Sequence, residues 1–244
     1  MTFQKGSQTT VLDLNLTRLG NLVMSANQSY SIGGLTLTKF NTASEQNPAT
    51  FDVTGLTFMP LSASDYNGAT RTMPGVHIPF FRFIPGFRGD MGVRVWAYVS
   101  DNNPAASFDN PILAVDTNST SYGYVMKRGF GTAGQGVQVY LGANAVNASG
   151  FISDNVTSTI QSHVMVLEIP SITGSVWKSF RGAYTNNDWP RMETLTQHNS
   201  YRFNATVNTT GVTPQSLGVV LAGQRATSAT PYYCKFARLR VDLI

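Results

Sequence analysis

The stretch WKSFRGAYTNNDWP at 177–190 combines aromatic and amide side chains within fourteen positions. Aromatic rings stack on the CH groups of sugars, and amides form hydrogen bonds with sugar hydroxyls, so this composition is typical of a glycan-binding site. The same side chains also suit core or subunit contacts, with TNND as a turn. Both alternatives stay open for the six candidates, which are Trp177, Phe180, Tyr184, Asn186, Asn187 and Trp189.

The thirteen acidic residues raise the question of glycoside hydrolysis. That reaction needs two carboxyl groups on either side of the bond that is cleaved. Asp109 with Asp116, or Glu168 with Asp188, could meet across the face of a sheet. Their spacing is equally that of acids on a solvated surface. The sequence therefore predicts no catalytic residue, and we expect a protein that is not an enzyme.

Histidine and cysteine offer no further chemistry. His77, His163 and His198 lie far apart, and none has the spacing of a metal-binding motif. Cys234 is the only cysteine and falls inside an apolar run, where a thiol is expected to be buried and unreactive. We therefore predict no metal site, no cofactor and no cysteine nucleophile.

The composition restricts the partners. Only 12% of the 244 residues are charged, and the net charge of +4 is not gathered into a basic cluster. Direct nucleic-acid binding is therefore not predicted. Neutral polar surfaces cost less to desolvate than charged ones, which favours contacts between copies of the same chain. No segment has the length and hydropathy of a membrane span, and the first residues lack the apolar core of a signal peptide.

The tripeptide Arg88-Gly89-Asp90 matches the motif by which some extracellular ligands reach integrins. It lies between Gly86 and Gly92, where a turn is expected, and short motifs occur by chance. With no export signal predicted, we interpret it as a turn and expect no integrin binding.

The elements that must position these residues are strands. Apolar and polar residues alternate with period two at 35–38, at 93–100 and at 237–243, where Ala237 and Leu239 are expected on one face and Arg238 on the other. The Gly-rich stretch 129–136 lies between two such runs and is predicted to be a hairpin loop. Further predicted strands are 122–127, 137–141, 163–169, 201–207 and 217–222.

These patterns predict an all-β fold. Many short strands, strand-like ends and no helical apolar stripe favour an antiparallel two-sheet sandwich of jelly-roll type. We expect one domain at 11–244, preceded by an N-terminal arm at 1–10. Met1 and Phe3 are the apolar residues of that arm, so they are the predicted points of contact with a neighbouring chain.

In composition and in predicted strand content, the whole chain resembles the jelly-roll virion proteins of tailed bacteriophages. The stretches FRFIPGFRGDMGVRVWAYVSD (81–101) and YYCKFARLRVDLI (232–244) carry this resemblance. It implies a structural protein of the virion that decorates or cements a capsid, as a homotrimer in contact with other virion proteins. A receptor-binding module for a host glycan is the alternative, and a jelly-roll shell protein is a further one. No functional residue is carried over from the resemblance.

Overall fold

The computed structural model describes residues 9–61, 73–79, 92–101, 110–117, 123–131, 134–141, 150–154, 162–169, 177–185, 199–206, 217–224 and 233–244. This part of the chain contains seventeen strands, two short 3-10 helices at Leu16–Arg18 and Thr42–Ser44, and no α-helix. The expectation of an all-β fold is confirmed.

The strands are bounded as follows. They are β1 (Thr9–Asn15), β2 (Leu22–Met24), β3 (Ser29–Ile32), β4 (Leu35–Phe40), β5 (Glu45–Asp52), β6 (Gly55–Pro60), β7 (Gly75–Pro79), β8 (Val93–Asp101), β9 (Asn110–Thr117), β10 (Gly123–Gly131), β11 (Gly134–Leu141), β12 (Gly150–Asp154), β13 (Ser162–Ile169), β14 (Trp177–Thr185), β15 (Asn199–Thr206), β16 (Leu217–Gln224) and β17 (Cys234–Leu243).

The strands form two antiparallel sheets. The nine-stranded sheet has the order β15-β14-β13-β8-β17-β6-β5-β2, with β1 paired to β17 outside this path. The eight-stranded sheet has the order β12-β11-β10-β9-β16-β7-β4-β3. The predicted antiparallel two-sheet sandwich of jelly-roll type is confirmed.

The main core lies between the sheets. Alternate residues of β8 and β9, such as Val95 and Leu113, are fully buried in it. Phe58 and Phe236 pack edge to face, with their ring centroids 6.0 Å apart and their planes at 80°. Burial of each such side chain contributes about 1.5–3 kcal/mol. The alternation seen in the sequence at 93–100 therefore follows from the alternate residues of β8 that face this core.

The last strand departs from strict alternation. Leu239 and Val241 face the core as predicted, but Cys234 and Phe236 face it too, so the phase changes at Ala237. The register with β8 shifts at this point, between Phe236 and Arg238. Gly55 of β6 approaches the backbone of β17 at this point and has a φ of +111°. A Cβ on Gly55 would collide with the carbonyl oxygen of Phe236. The bulge is therefore built jointly by β17 and β6.

The structure differs from the sequence prediction at two boundaries, those of the hairpin connection and of the N-terminal arm. β10 and β11 pair as far as Gly131 and Gly134, so the predicted hairpin is confirmed and its connection is shorter than 129–136. β1 begins at Thr9, so the last two residues of the expected arm belong to a sheet. Met1 and Phe3 lie outside the described residues.

Candidate functional site

The predicted aromatic segment falls on β14 and beyond it. Trp177, Phe180 and Tyr184 share this strand, which lies next to the last strand of the nine-stranded sheet, β15. Phe180 is the Cα partner of Phe203 in that strand, and the two strands are paired from Trp177 to Tyr184. Asn186, Asn187 and Trp189 lie outside the described residues. The glycan or subunit role of the segment stays a prediction.

A buried carboxylate joins both ends of the chain on the outer face of the nine-stranded sheet. Asp242 is 0% exposed. It accepts hydrogen bonds from the Thr10 hydroxyl at 2.8 Å, the Trp96 indole N–H at 2.6 Å and the Arg240 Nε–H at 2.8 Å. Three donors, one of them cationic, offset the cost of removing the carboxylate from water. Asp242 therefore holds β1, β8 and β17 together.

The strand register makes this arrangement possible. Thr10 lies directly across from Asp242, and Trp96 lies directly across from Arg240. Further along the same strand pair, Asp13 accepts two hydrogen bonds from Arg238, at 3.0 Å from Nε and 2.8 Å from Nη2. We define the terminal clasp as the following six residues: Thr10, Asp13, Trp96, Arg238, Arg240 and Asp242.

Glu168 belongs to a neighbouring ion pair. Arg94 contacts its Oε2 atom through Nε at 2.7 Å and Nη2 at 2.6 Å. The same guanidinium lies 5.6 Å from the centroid of the Trp96 ring, within the range of a cation–π contact. Glu168 is also one of the acids that could form a hydrolytic pair, and its partner in that pair, Asp188, lies outside the described residues. The structure instead places Glu168 in a structural ion pair.

The remaining acids with described side chains are also engaged. Asp52 accepts hydrogen bonds from the hydroxyl and the backbone N–H of Thr54, both at 2.6 Å, and these bonds hold the pKa of Asp52 below its ordinary value. Glu45 pairs with Lys39. Each of the five acids whose side chains the structure describes therefore has a partner within the chain, and the five are Asp13, Glu45, Asp52, Glu168 and Asp242.

The Lys39–Glu45 pair bridges the two sheets. Lys39 lies on β4 and Glu45 on β5, with 3.0 Å between Nζ and Oε1 and side-chain exposures of 0% and 2%. Burial lowers the pKa of Lys39 and raises that of Glu45, and each partner's charge opposes the shift of the other. Lys39 also donates to the Phe40 carbonyl at 2.9 Å, whereas neither Glu45 oxygen has an aligned hydrogen bond. Coulomb attraction is therefore the main link between them.

This pairing leaves the outward surface of residues 19–51, all of them described, without exposed charge. Residues 19–51 contain two charged residues, Lys39 and Glu45, and both side chains are buried. β2 and β3 end the two sheets on this side. We name the outward surface of residues 19–51 the neutral edge. Its exposed residues other than glycine are Asn21, Val23, Ser25, Ala26, Asn27, Gln28, Ser29, Ser31, Ala43, Gln46, Asn47 and Pro48.

The neutral edge was not predicted from the sequence. The signal was present as a run with almost no charged residues, but that signal also fits a buried segment. The fold decides between the two, because it places this run at the open side of both sheets and turns its two ions inward.

Cys234 is buried, as predicted, with its Sγ 4.0 Å from the Ala222 carbonyl oxygen. His77 is buried on β7. Within the described ranges, no cluster of three or more His, Cys, Asp or Glu residues is arranged to hold a metal ion. Nor does that part of the chain include a helix with the length and hydropathy to span a bilayer.

No protein-family model and no curated protein matches this chain. Among solved structures, the lectin from Bauhinia forficata in complex with GalNAc matches with a TM-score of 0.50 and 7% identity, covering 96% of this chain and 98% of that one. Peanut lectin with a 9mer peptide gives a TM-score of 0.46 and 7% identity over 98% of both chains. The GH43 BlXynB protein from Bacillus licheniformis gives 0.47 and 10%, covering 76% of this chain and 32% of that one.

The chain thus spans about a third of the length of the GH43 structure. At 7% identity, the match to the Bauhinia lectin shows a shared fold alone. It agrees with the two-sheet architecture described above.

Proposed function

We propose that this protein is a non-catalytic recognition module that binds a glycan. The observation that carries the proposal is the fold, which is shared over almost the whole of both chains with a lectin in complex with GalNAc. A sandwich of this kind presents broad sheet faces and edges on which a sugar can be held by stacking and by hydrogen bonds from neutral side chains.

The pairing of the acids supports a non-catalytic role. Hydrolysis of a glycosidic bond requires one carboxyl group to donate a proton and a second to act as base or nucleophile. The five acids with described side chains are instead used as hydrogen-bond acceptors or ion-pair partners inside the chain. Releasing any of them for catalysis would break a structural contact.

We place the glycan site on β14 and the residues that follow it. Trp177 supplies an aromatic residue on the strand beside the sheet's last strand, β15. Phe180 and Tyr184 hold positions of the other parity, and Tyr184 is the Cα partner of the core residue Met165, so we assign these two to the core-facing side of β14 and not to the glycan site. The amides of Asn186 and Asn187, with the ring of Trp189, complete the inventory that a neutral sugar requires.

A glycan array followed by calorimetric titration of the best ligand tests this function. We expect the wild type to bind, and Trp177→Ala to lose binding at an unchanged melting temperature. Trp96→Phe is the matched control, because Trp96 belongs to the terminal clasp, and this variant should lose stability while it keeps binding. A wild type that binds no glycan, or that releases cleaved products from it, would contradict the proposal.

A structural virion protein is the second candidate. The low charge of the whole chain and the charge-free surface of residues 19–51 favour it, because such surfaces pack side by side at a low cost of desolvation. In this role the protein would decorate or cement a capsid, with the N-terminal arm reaching a neighbour. Removal of residues 1–8 tests it without touching β1. We expect lost attachment to the particle and an unchanged melting temperature, and full occupancy after truncation would exclude this role.

A further inference from the structure

Two consecutive strands of the chain form the open side of the sandwich. β2 is the last strand of the nine-stranded sheet and pairs with β5, and β3 is the last strand of the eight-stranded sheet and pairs with β4. Within the described residues, no strand pairs with the free side of either. In this part of the chain, the backbone N–H and C=O groups on each free side have no strand partner, and such groups can pair with another chain.

These strands lack most of the features that protect an exposed edge. Edge strands are commonly protected by charged side chains, prolines or bulges. Neither Leu22–Met24 nor Ser29–Ile32 contains a charged residue or a proline, and the register of β2 with β5 and of β3 with β4 is regular. Their shortness is the remaining protection. Val23 is 60% exposed on β2, where an apolar side chain gains from being covered.

The strand β1 shows the contrast. Its only described partner is β17, but it carries a register shift between Thr10 and Leu12 and the charged residue Asp13. These features protect β1 against pairing with the strand of another chain. The same chain therefore protects one exposed strand and leaves two others without charge or bulge.

The absence of charge indicates which partner fits. In a two-fold interface the same surface meets itself, so an uncompensated charge near the axis faces its like. A surface with no exposed charge meets its copy without repulsion and with a small cost of desolvation. The inward pairing of Lys39 with Glu45 gives residues 19–51 this property.

We propose that the neutral edge is an interface between two copies of this chain, in which β2 and β3 of one copy lie against β2 and β3 of the other. The interface uses a different part of the fold from the glycan site on β14, so it does not depend on the proposed function. Val23 lies within the contact and its burial supplies part of the binding free energy.

A pair of matched variants tests the interface. Val23→Glu places a carboxylate where it would meet its own copy, and like charges in contact cost several kcal/mol, which predicts dimerisation weakened by about 100-fold or more. Val53→Glu is the control, because Val53 is 81% exposed in the turn between β5 and β6, outside the neutral edge. Light scattering across a concentration series should show association for the wild type and Val53→Glu, and a 26.5 kDa particle for Val23→Glu.

Charge complementation completes the test. Val23→Lys should also be monomeric, and an equimolar mixture of Val23→Glu and Val23→Lys should associate again, because opposite charges then face each other. Ser31→Glu on β3 repeats the test at a second exposed position. A wild type that stays monomeric throughout, or a Val23→Glu variant that associates as tightly as Val53→Glu, would overturn the interface. Loss of glycan binding in Val23→Glu without loss of association would make the edge a ligand surface instead.

Discussion

The terminal clasp and the neutral edge use charge in opposite ways within one sandwich. In the terminal clasp, ionic groups on the outer face of the nine-stranded sheet pair between β1 and β17 and within β17. In the neutral edge, the two ionic groups of residues 19–51 pair inside the molecule, and the surface they leave is uncharged. A chain with only 12% charged residues thus uses ions to join strands in one region and keeps them off the surface in another.

The physical cost differs between the two regions. In the clasp, Asp13 and Arg238 keep part of their hydration, so their ion pair contributes little to the free energy of unfolding. The side chains of Lys39 and Glu45 are almost completely buried. Such a pair contributes little net stability, while the loss of one partner is costly. Each region can therefore be tested by removing one partner at a time.

The largest effect is expected from Lys39→Met. This change leaves the Glu45 carboxylate buried without a counter-charge, which should lower the free energy of unfolding by about 3–5 kcal/mol. Urea denaturation at pH 7 measures it. The double variant Lys39→Met/Glu45→Leu removes both charges and should recover most of the loss. A double variant as unstable as the single one would show that packing, and not charge, is the cause.

The pH dependence of Lys39→Met gives a second expected outcome. The pKa of Glu45 already lies above its ordinary 4.5 in the folded protein because of burial, and loss of the lysine raises it further. A carboxyl with a raised folded pKa favours the folded state when protonated, and this advantage is lost as the pH rises through the folded pKa. The deficit of Lys39→Met against wild type should therefore be smallest near pH 4 and should grow toward neutral pH. A deficit that is constant with pH would contradict this account.

A smaller effect is expected from Asp242→Asn in the terminal clasp. The amide keeps the size of the side chain but loses the charge and one of the two acceptor oxygens, so the donors of Thr10, Trp96 and Arg240 cannot all be satisfied. We expect a loss of about 1–3 kcal/mol in the free energy of unfolding. Trp96 fluorescence should follow the transition. An unchanged stability would mean that the buried carboxylate does not hold the terminal strands.

The smallest effect is expected at Asp13 and Arg238. This ion pair is more than a third exposed on both sides, so its loss in Arg238→Ala should cost about 1 kcal/mol or less and should shrink at high salt. A double-mutant cycle with Asp13→Ala isolates the pairwise contribution. A coupling energy as large as the effect of Asp242→Asn would remove the distinction between the exposed and buried parts of the clasp.

The sequence predicts the sheets well where alternate residues of a strand face the core between the sheets, as period-two alternation records directly at Val93–Asp101. The phase change at Ala237 was not predictable, since it depends on the approach of Gly55 from another strand. Nor was the burial of Asp242, whose donors Thr10 and Trp96 lie 232 and 146 positions away. Trp177, Phe180 and Tyr184 lie on β14, a strand that was not predicted from the sequence. Nor does the sequence assign their role, because aromatic residues serve cores, interfaces and ligands alike.

Amide hydrogen exchange at increasing protein concentration tests the central contrast most directly. We expect the neutral edge to be covered by a second copy and β1 to pair with no second copy. Amide exchange should therefore slow with increasing protein concentration at Leu22–Met24 and Ser29–Ile32, and it should stay constant at Thr9–Asn15. The Val23→Glu variant should show no concentration dependence at any of these strands. Slowing confined to β1, or the same exchange rates at every concentration in the wild type, would contradict the account.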